Sequence, residues 1–243
     1  MKVLILAAGQ GKRLLPLTNA LPKALLKIGA RALIARQIDA FAACGIEEFV
    51  VITGYGTELV EEMLGRLARD LSVEIRTIFN PFYRVVDNLA SCWMARHEMK
   101  TGFIQVNGDT IFRAELVRHF LSCPSAPIRV AINHKEHYDN DDMKVMLKGG
   151  CIVRIGKTLP SDSVDAEAIG LYRFGEDGAG LYRDVLERTM RDGSGLSLWF
   201  PSAVATIAES TEVASCAIDG HDWCEVDTPA DLHSARRMVS SWP

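Results

Sequence analysis

Two glycines and three cationic side chains stand close together near the beginning of the chain. Gly9 and Gly11 share a short segment with Lys12 and Arg13, and Lys23 follows a few residues later. Glycine lets backbone amides approach phosphate oxygens closely, and lysine and arginine add charge that binds the same oxygens. This combination indicates a site for the phosphates of a nucleotide.

The segment does not fit the two commonest phosphate-binding motifs. The dinucleotide fingerprint requires a third glycine where Leu14 stands, and the Walker A motif requires glycine at Leu6 and a hydroxyl residue at Arg13. A plain glycine turn between a strand and a helix would leave the three cations without an anion. A third kind of nucleotide-binding loop is therefore the favoured interpretation.

The charge of the chain is unevenly distributed. Of its 27 basic residues, seven come before the first acidic residue, Asp39, and all 31 acidic residues lie from that point on. The formal net charge is −4, which argues against a general binder of nucleic acid or acidic membranes. A basic segment on an acidic chain predicts a local anion site, although a solvated surface would give the same count.

The elements that must position this loop follow an alternating pattern. Apolar runs and helical periodicity predict a strand before each helix in the first half, and a Gly-Gly hairpin signal adds antiparallel strands in the second. We expect an α/β fold, a Rossmann-like, mainly parallel sheet with helices on both faces and a small antiparallel extension. The predicted strands are 2–7, 48–53, 72–78, 103–106, 128–132, 144–147, 151–155, 168–174 and 212–218. The predicted helices are 32–44, 57–70, 88–97 with Asn88 as N-cap, 114–121, 178–191 and one from Pro229, capped by Thr228 with Asp231 at N3.

The loop resembles the signature motif of a known enzyme family. The segment from Leu6 to Lys23 resembles the N-terminal signature of nucleotidyltransferases that join a nucleoside triphosphate to a sugar phosphate or phosphoalcohol, L-A-A-G-x-G-[ST]-R followed by P-L-T and P-K. Lys12 stands where the family has a hydroxyl residue. The resemblance implies a nucleotide-diphospho-sugar transferase fold as a single domain over 1–243, with a nucleotide-binding half, 1–125, and an acceptor-binding half, 126–243. It implies nucleotide contacts from Leu6, Ala7, Ala8, Gly9, Gly11, Lys12, Arg13, Lys23 and Gly108.

Two aspartates extend the resemblance towards a metal site. Gly108 and Asp109 end a predicted strand and look like the family's metal-binding G-D element, and Asp227 looks like its second metal-binding carboxylate. Mg²⁺ prefers carboxylate, phosphate and water oxygens, which suits two aspartates facing a triphosphate. Taken singly, each could be an ordinary turn or helix-start residue. The resemblance implies that Arg13, Lys23, Asp109 and Asp227 are catalytic and that both aspartates hold Mg²⁺.

One branch of the family is the most similar. Pro22-Lys23-Ala24-Leu25 and the segment from Asn80 to Ser91 resemble the branch that contains phosphocholine cytidylyltransferases. The resemblance implies CTP as donor and a small phosphorylated alcohol or amine as acceptor. Base contacts are then expected from Tyr83, Asn88 and Ser91. Acceptor contacts are expected from a lysine, a carboxylate and aromatic faces suited to a quaternary ammonium, namely Lys144, Glu167, Tyr172, Trp199 and Trp223.

The sequence thus predicts an Mg²⁺-dependent cytidylyltransferase that forms a CDP-alcohol and pyrophosphate. The alternatives are a sugar-1-phosphate nucleotidyltransferase using UTP, dTTP or GTP, and a non-catalytic nucleotide-binding regulatory domain. No apolar run approaches the roughly 20 residues that span a bilayer, and the six cysteines form no Cys-x-x-Cys pair. We therefore expect a cytoplasmic protein with reduced thiols, without a nucleic-acid partner.

Overall fold

The computed structural model describes residues 1–242. They contain thirteen strands: β1 Lys2–Ala7, β2 Lys27–Ile28, β3 Arg31–Ala32, β4 Glu48–Thr53, β5 Glu74–Phe79, β6 Phe103–Asn107, β7 Thr110–Phe112, β8 Ile128–Asn133, β9 Lys144–Lys148, β10 Cys151–Ile155, β11 Ala166–Phe174, β12 Val213–Ala217 and β13 Trp223–Glu225. The same residues contain seven α-helices: α1 Leu33–Ala42, α2 Thr57–Leu71, α3 Asn88–Met94, α4 Ala114–Ser122, α5 Glu176–Arg191, α6 Pro201–Ala208 and α7 Pro229–Ser240.

The chain forms two compact units, each made of separate sequence segments. The first unit contains Lys2–Arg84, Val106–Leu121 and 220–242, and the second contains Val85–Gln105 and Ser122–Asp219. The two predicted functional halves, 1–125 and 126–243, stay a prediction.

Parallel strands form the centre of the first unit. Strand β1 pairs in parallel with β4, and β4 pairs in parallel with β5. The apolar run of β1 explains this placement, since Val3, Leu4 and Ile5 are fully buried. Another apolar cluster in this unit joins the N-terminal loop to α7 through Leu14 and Leu232.

The second unit has a mixed sheet. Strand β11 pairs antiparallel with β8, β8 pairs parallel with β12, and the β9–β10 hairpin completes the order through β12. Gly149 and Gly150 form the hairpin turn with φ of +61° and +81°, as the Gly-Gly signal predicts. The parallel and antiparallel pairings of the two units confirm the predicted mixed α/β class.

The sequence misplaced the end of one helix by three residues and other element boundaries by one or two, and it missed several short elements. Helix α3 ends at Met94 instead of continuing to 97, and its N-cap is Asp87, not Asn88. The side chain of Asn88 is engaged elsewhere, because its Oδ1 accepts a hydrogen bond from the backbone N–H of Phe200. Helix α6 and the short strands β2, β3, β7 and β13 were not predicted; those strands have only two or three residues, too few to show a period.

The described cysteines are all free thiols, and Cys92 and Cys216 are buried. Within residues 1–242, no helix has both the length and the apolar character needed to cross a membrane.

Two glycines in α5 give a matched test of this packing. A Cβ at Gly178 would lie 1.8 Å from the carbonyl oxygen of Pro127, whereas a Cβ at Gly180 would meet nothing within 4 Å. We expect Gly178→Ala to lower the free energy of unfolding by about 2 kcal/mol through overpacking. Gly180→Ala should raise it by roughly 0.5–1 kcal/mol, because alanine loses less backbone entropy in a helix. Urea unfolding measures both, and equal effects of the two substitutions would contradict the packing described.

Candidate active site

The structure brings Asp109 and Asp227 together, although they are distant in sequence. Strands β7 and β13 pair antiparallel with Thr110 opposite Glu225, so the residue before β7 and the residues after β13 lie at the same end of this ribbon. The backbone N–H of Val226 donates to the carbonyl oxygen of Asp109 at 3.1 Å. The two carboxylates therefore face a common point within the first unit.

Lys23 bridges the two carboxylates. Its Nζ lies 2.9 Å from Oδ2 of Asp109 and 2.5 Å from Oδ1 of Asp227, and the other oxygen of Asp227 lies 2.8 Å from Nη2 of Arg13. Burial tends to lower the pKa of Lys23, but the two carboxylates outweigh this effect and hold its pKa above the ordinary value. The four residues predicted to be catalytic thus form one ion-paired cluster.

The turn that carries Asp109 is held from inside the protein by a residue that the sequence analysis missed. Gln37 is 1% exposed, and its Nε2 donates to the carbonyl oxygens of Asn107 and Thr110 at 2.6 and 2.8 Å. These two carbonyls flank Asp109 on both sides. The only sequence signal was a polar residue within the apolar stripe of α1.

The start of α7 orients Asp227. Thr228 and Asp231 form a complete capping box, as predicted, with Pro229 in the first turn. The carboxylate of Asp231 accepts the backbone N–H groups of Asp227 and Thr228 at 3.1 and 2.7 Å. The backbone of Asp227 is therefore fixed by the same group that caps the helix.

The N-terminal loop packs against the stem of Lys23. Gly11 has a φ of +73°, and a Cβ there would lie 3.0 Å from both Cβ and Cδ of Lys23. The hydroxyl of Thr18 donates to the Gly11 carbonyl at 2.9 Å and closes the loop. Lys12 begins a short 3-10 turn and is exposed, whereas Leu14 at its end is fully buried.

Close backbone contacts join this loop to the Asp109 turn and to Tyr83. The N–H of Gly108 donates to the carbonyl oxygen of Leu6 at 3.0 Å, and a Cβ at Gly108 would lie 2.4 Å from that oxygen. A Cβ at Gly54 would lie 2.5 Å from the carbonyl oxygen of Ala8 and 2.7 Å from Cβ of Tyr83. Predicted nucleotide residues of the first unit therefore lie side by side.

The remaining predicted site residues have varied surroundings. In the second unit, Ser91 is buried in α3, and Tyr172 is fully buried with its ring edge-to-face on Phe200 at 4.8 Å. Trp223 belongs to β13, in the ribbon of the first unit. Nucleotide contacts of Asn88 and Ser91, and acceptor contacts of Tyr172 and Trp223, stay predictions.

Three predicted acceptor residues each contact a lysine that the sequence analysis did not single out. Glu167 pairs with Lys135 at 2.8 Å, and the buried Lys144 donates from Nζ to the carbonyl oxygen of Lys157 at 2.9 Å. The ammonium of Lys157 lies 4.5 Å from the ring centroid of Trp199. Lys135 and Lys157 were not predicted, because a surface lysine carries no sequence signal of a partner.

The aspartate cluster suits a divalent cation. Oδ1 of Asp109 is buried, and it has no hydrogen-bond partner among residues 1–242. A buried carboxylate oxygen without a partner is costly, and a hard cation would satisfy it. The donor set, two carboxylates with a buried oxygen that has no partner among the described residues, therefore fits a hard divalent cation.

Solved structures share this fold. The inositol-1-phosphate CTP transferase from T. maritima superposes with a TM-score of 0.81 at 19% sequence identity, over 99% of this chain and 96% of that one. At this identity the likeness concerns the fold alone, and it confirms the predicted nucleotide-diphospho-sugar transferase fold.

The chain belongs to the nucleotidyl transferase family, whose family model matches residues 2–137. It is 32% identical to the bifunctional IPC transferase and DIPP synthase of Rubrobacter xylanophilus, over 98% of this chain and 52% of that protein. It is 24% identical to the CTP:phosphoglutamine cytidylyltransferase of Campylobacter jejuni, over 96% of this chain and 98% of that protein. The chain thus spans about half the length of the Rubrobacter relative. The predicted family, that of the nucleotidyltransferases, is confirmed.

Gln37 offers a test of how the site is held. Gln37→Leu removes both hydrogen bonds to the Asp109 turn and leaves buried carbonyls without this donor. We expect the free energy of unfolding to fall by about 2 kcal/mol, the usual scale for unsatisfied buried polar groups. Urea unfolding at neutral pH measures the change. A loss below about 0.5 kcal/mol would show that the turn does not depend on Gln37.

Proposed function

We propose that the protein is a cytidylyltransferase, which transfers CMP from CTP to the phosphate of a small phosphorylated alcohol. The products are a CDP-alcohol and pyrophosphate. The observation that carries this proposal is the cluster of Asp109, Asp227, Lys23 and Arg13 beside the glycine loop. The names of relatives support the donor, since the Campylobacter protein is a CTP:phosphoglutamine cytidylyltransferase and the T. maritima structure is a CTP transferase.

The reaction needs positioning and charge more than a strong base. A phosphate oxygen of the acceptor attacks the α-phosphorus of CTP, the bond to the β-phosphate breaks, and pyrophosphate leaves with that electron pair. The attacking oxygen is already anionic near neutral pH. The protein must therefore align the two phosphates and stabilise the charge that develops between them.

Lys23 and Arg13 supply positive charge of the chain itself. Both form ion pairs with carboxylates. Lys23 contacts Asp109 and Asp227, and Arg13 contacts Asp227. Phosphate oxygens would compete for these cations on nucleotide binding. Because Lys23 is the more buried of the two, its charge acts in the lower dielectric and should matter most for the transferred phosphate.

Asp109 and Asp227 would hold Mg²⁺, and bound Mg²⁺ would supply charge stabilisation at the phosphates. The free buried oxygen of Asp109 supports this assignment. A regulatory domain that only binds a nucleotide would not need two carboxylates at this position, since carboxylates repel a triphosphate unless a cation lies between them. The non-catalytic alternative is therefore disfavoured.

The glycine loop and Tyr83 would hold the nucleotide. Gly9 and Gly11 would present backbone amides to the triphosphate, and the exposed Lys12 would add charge beside them. Tyr83 lies next to Gly54 and Ala8, where a base could follow the phosphates. Backbone groups near Tyr83 could distinguish the amine of cytosine from the carbonyl of uracil.

Isosteric changes at the two aspartates test the metal assignment. Asp109→Asn and Asp227→Asn keep the size but remove the charge, so kcat should fall roughly a hundredfold or more, the scale of a major electrostatic contribution. Steady-state pyrophosphate release at varied Mg²⁺ is the measurement. Asp222→Asn is the matched control, because Asp222 is an exposed acid of the same unit that accepts a hydrogen bond from Trp242. Near-normal rates for both site variants would rule out the assignment.

A donor panel tests the choice of nucleotide. We expect CTP to be preferred over UTP by at least about tenfold in kcat/KM, or about 1.4 kcal/mol of transition-state binding. Initial pyrophosphate release is measured with CTP, UTP, dTTP, ATP and GTP, each with phosphorylated alcohols and with glucose 1-phosphate. Preference for UTP or dTTP with the sugar phosphate would refute the cytidylyltransferase proposal and leave the family unchanged.

A further inference from the structure

Two cysteines of the second unit touch each other, although they are distant in sequence. Cys123 lies in the segment that leads into β8, and Cys216 belongs to β12. Their Sγ atoms are 2.8 Å apart, and both residues are free thiols. Neither takes part in the proposed transferase reaction, so this contact, which we call the cysteine pair, needs a separate explanation.

The distance between the two sulfurs favours a covalent bond over a shared metal ion. Two thiolates on one tetrahedral zinc ion, each with a Zn–S bond of about 2.3 Å, are about 3.8 Å apart. The sulfurs of a disulfide are about 2.05 Å apart. The cysteine pair is therefore closer than a shared zinc ion allows, and an approach of less than about 1 Å would complete a disulfide bond.

One buried guanidinium holds the backbone beside both cysteines. Nη1 of Arg129 donates to the carbonyl oxygen of Ser215 at 2.5 Å, and its Nε and Nη2 donate to the carbonyl oxygen of Pro124 at 3.2 and 3.0 Å. Ser215 immediately precedes Cys216, and Pro124 immediately follows Cys123. The same side chain thus fixes the main chain of the two cysteines relative to each other and keeps their sulfurs in contact.

A second buried guanidinium, that of Arg173, stands opposite Arg129 in the pairing of β8 with β11. Its Nη2 donates to the carbonyl oxygens of Cys123 and Pro124 at 2.8 and 2.6 Å. Burial raises the pKa of Cys216 to about 12, the contact with Cys123 adds to this effect, and the two guanidiniums oppose it. Positive charge beside a thiol favours the reactive thiolate.

The two thiols differ in access to solvent. Cys123 is partly exposed, whereas Cys216 is buried. A reagent in solution therefore reaches the sulfur of Cys123 first, and Cys216 needs to reach only the sulfur of Cys123, with which it is already in contact. This asymmetry suits a pair with one attacking and one resolving thiol.

We propose that the cysteine pair is a site of reversible disulfide formation, which exchanges with the disulfides of small thiols. The Cys123 thiolate attacks one sulfur of the external disulfide, and the first small thiolate leaves and takes up the proton that Cys123 lost. Cys216 then attacks Sγ of Cys123, the bond to the second small thiol breaks, and this thiol leaves with the proton of Cys216. Two protein thiols are oxidised to one disulfide, and one external disulfide is reduced to two thiols.

The new bond would link β12 to the segment that leads into β8. The two cysteines are 93 positions apart, so the disulfide would close a long loop of the chain. A cross-link of this kind restricts the unfolded chain far more than the folded one, in which the two sulfurs already lie together. Oxidation should therefore raise the stability of the protein, and reduction should lower it again.

Peptide mapping after incubation with glutathione disulfide tests the site without an activity assay. We expect wild-type protein to form a disulfide between Cys123 and Cys216 that dithiothreitol reverses. Cys216→Ser removes the resolving thiol, so glutathione should stay attached to Cys123. Cys151→Ser is the matched control, because Cys151 is another partly exposed thiol of the same unit, and it should behave as the wild type. A wild-type Cys123 that stays free, or that keeps glutathione while Cys216 stays reduced, overturns the proposal.

Thermal unfolding of the same samples tests the cross-link. Oxidised wild-type protein and oxidised Cys151→Ser should unfold at least about 5 °C above their reduced forms, the scale for closing a loop of this length. Cys123→Ser cannot form the bond, and the same treatment should leave its midpoint unchanged. Equal midpoints of oxidised and reduced wild-type protein would show that the pair does not link β12 to the segment before β8, and would overturn the proposal.

Discussion

The contact on which the site depends is the bridge from the Lys23 ammonium to two carboxylates. Asp109 and Asp227 would repel each other at this separation without a cation between them. Lys23 supplies that cation, and the carboxylates in turn raise its pKa although burial opposes its charge. The arrangement keeps two acids close together with one cation between them.

The backbone around this bridge fixes the positions of the two aspartates. The β7–β13 ribbon sets the distance between the two aspartates, Gln37 fixes the turn of Asp109, and the capping box of α7 fixes Asp227. These supporting contacts are hydrogen bonds to main-chain groups, and they do not depend on the charge of the Lys23, Asp109 and Asp227 side chains. A change of ligand at the carboxylates can therefore occur without rebuilding their supports, which is the condition for electrostatic preorganisation.

The sequence predicted those parts that have a local signal. Long buried strands such as β1 show as apolar runs, and the capping box of α7 shows as Thr228-Pro229-x-Asp231. Only the family resemblance predicted that Asp109 and Asp227 lie together. The strands β7 and β13, whose pairing brings the two aspartates close, are too short to show a periodic sequence pattern. Gln37 and Lys157 could not be foreseen, since their partners are distant backbone carbonyls or side chains that the fold alone brings near. The prediction of Asn88 as the N-cap of α3 failed for the same reason. Its side chain accepts a hydrogen bond from the backbone N–H of Phe200, which is distant in sequence.

The ribbon also sets an order of events during synthesis. Strand β7 leaves the ribosome early, but β13, its partner, is made more than a hundred residues later. Until then the Asp109 turn has Gln37 but not the second carboxylate, and Lys23 has only one of its two acids. Such long-range pairing is slow to form because its loop must close first. A nascent chain can therefore acquire its glycine loop and parallel strands well before Asp227 can join Lys23 and Asp109, so the charged cluster is completed only after β13 has been made.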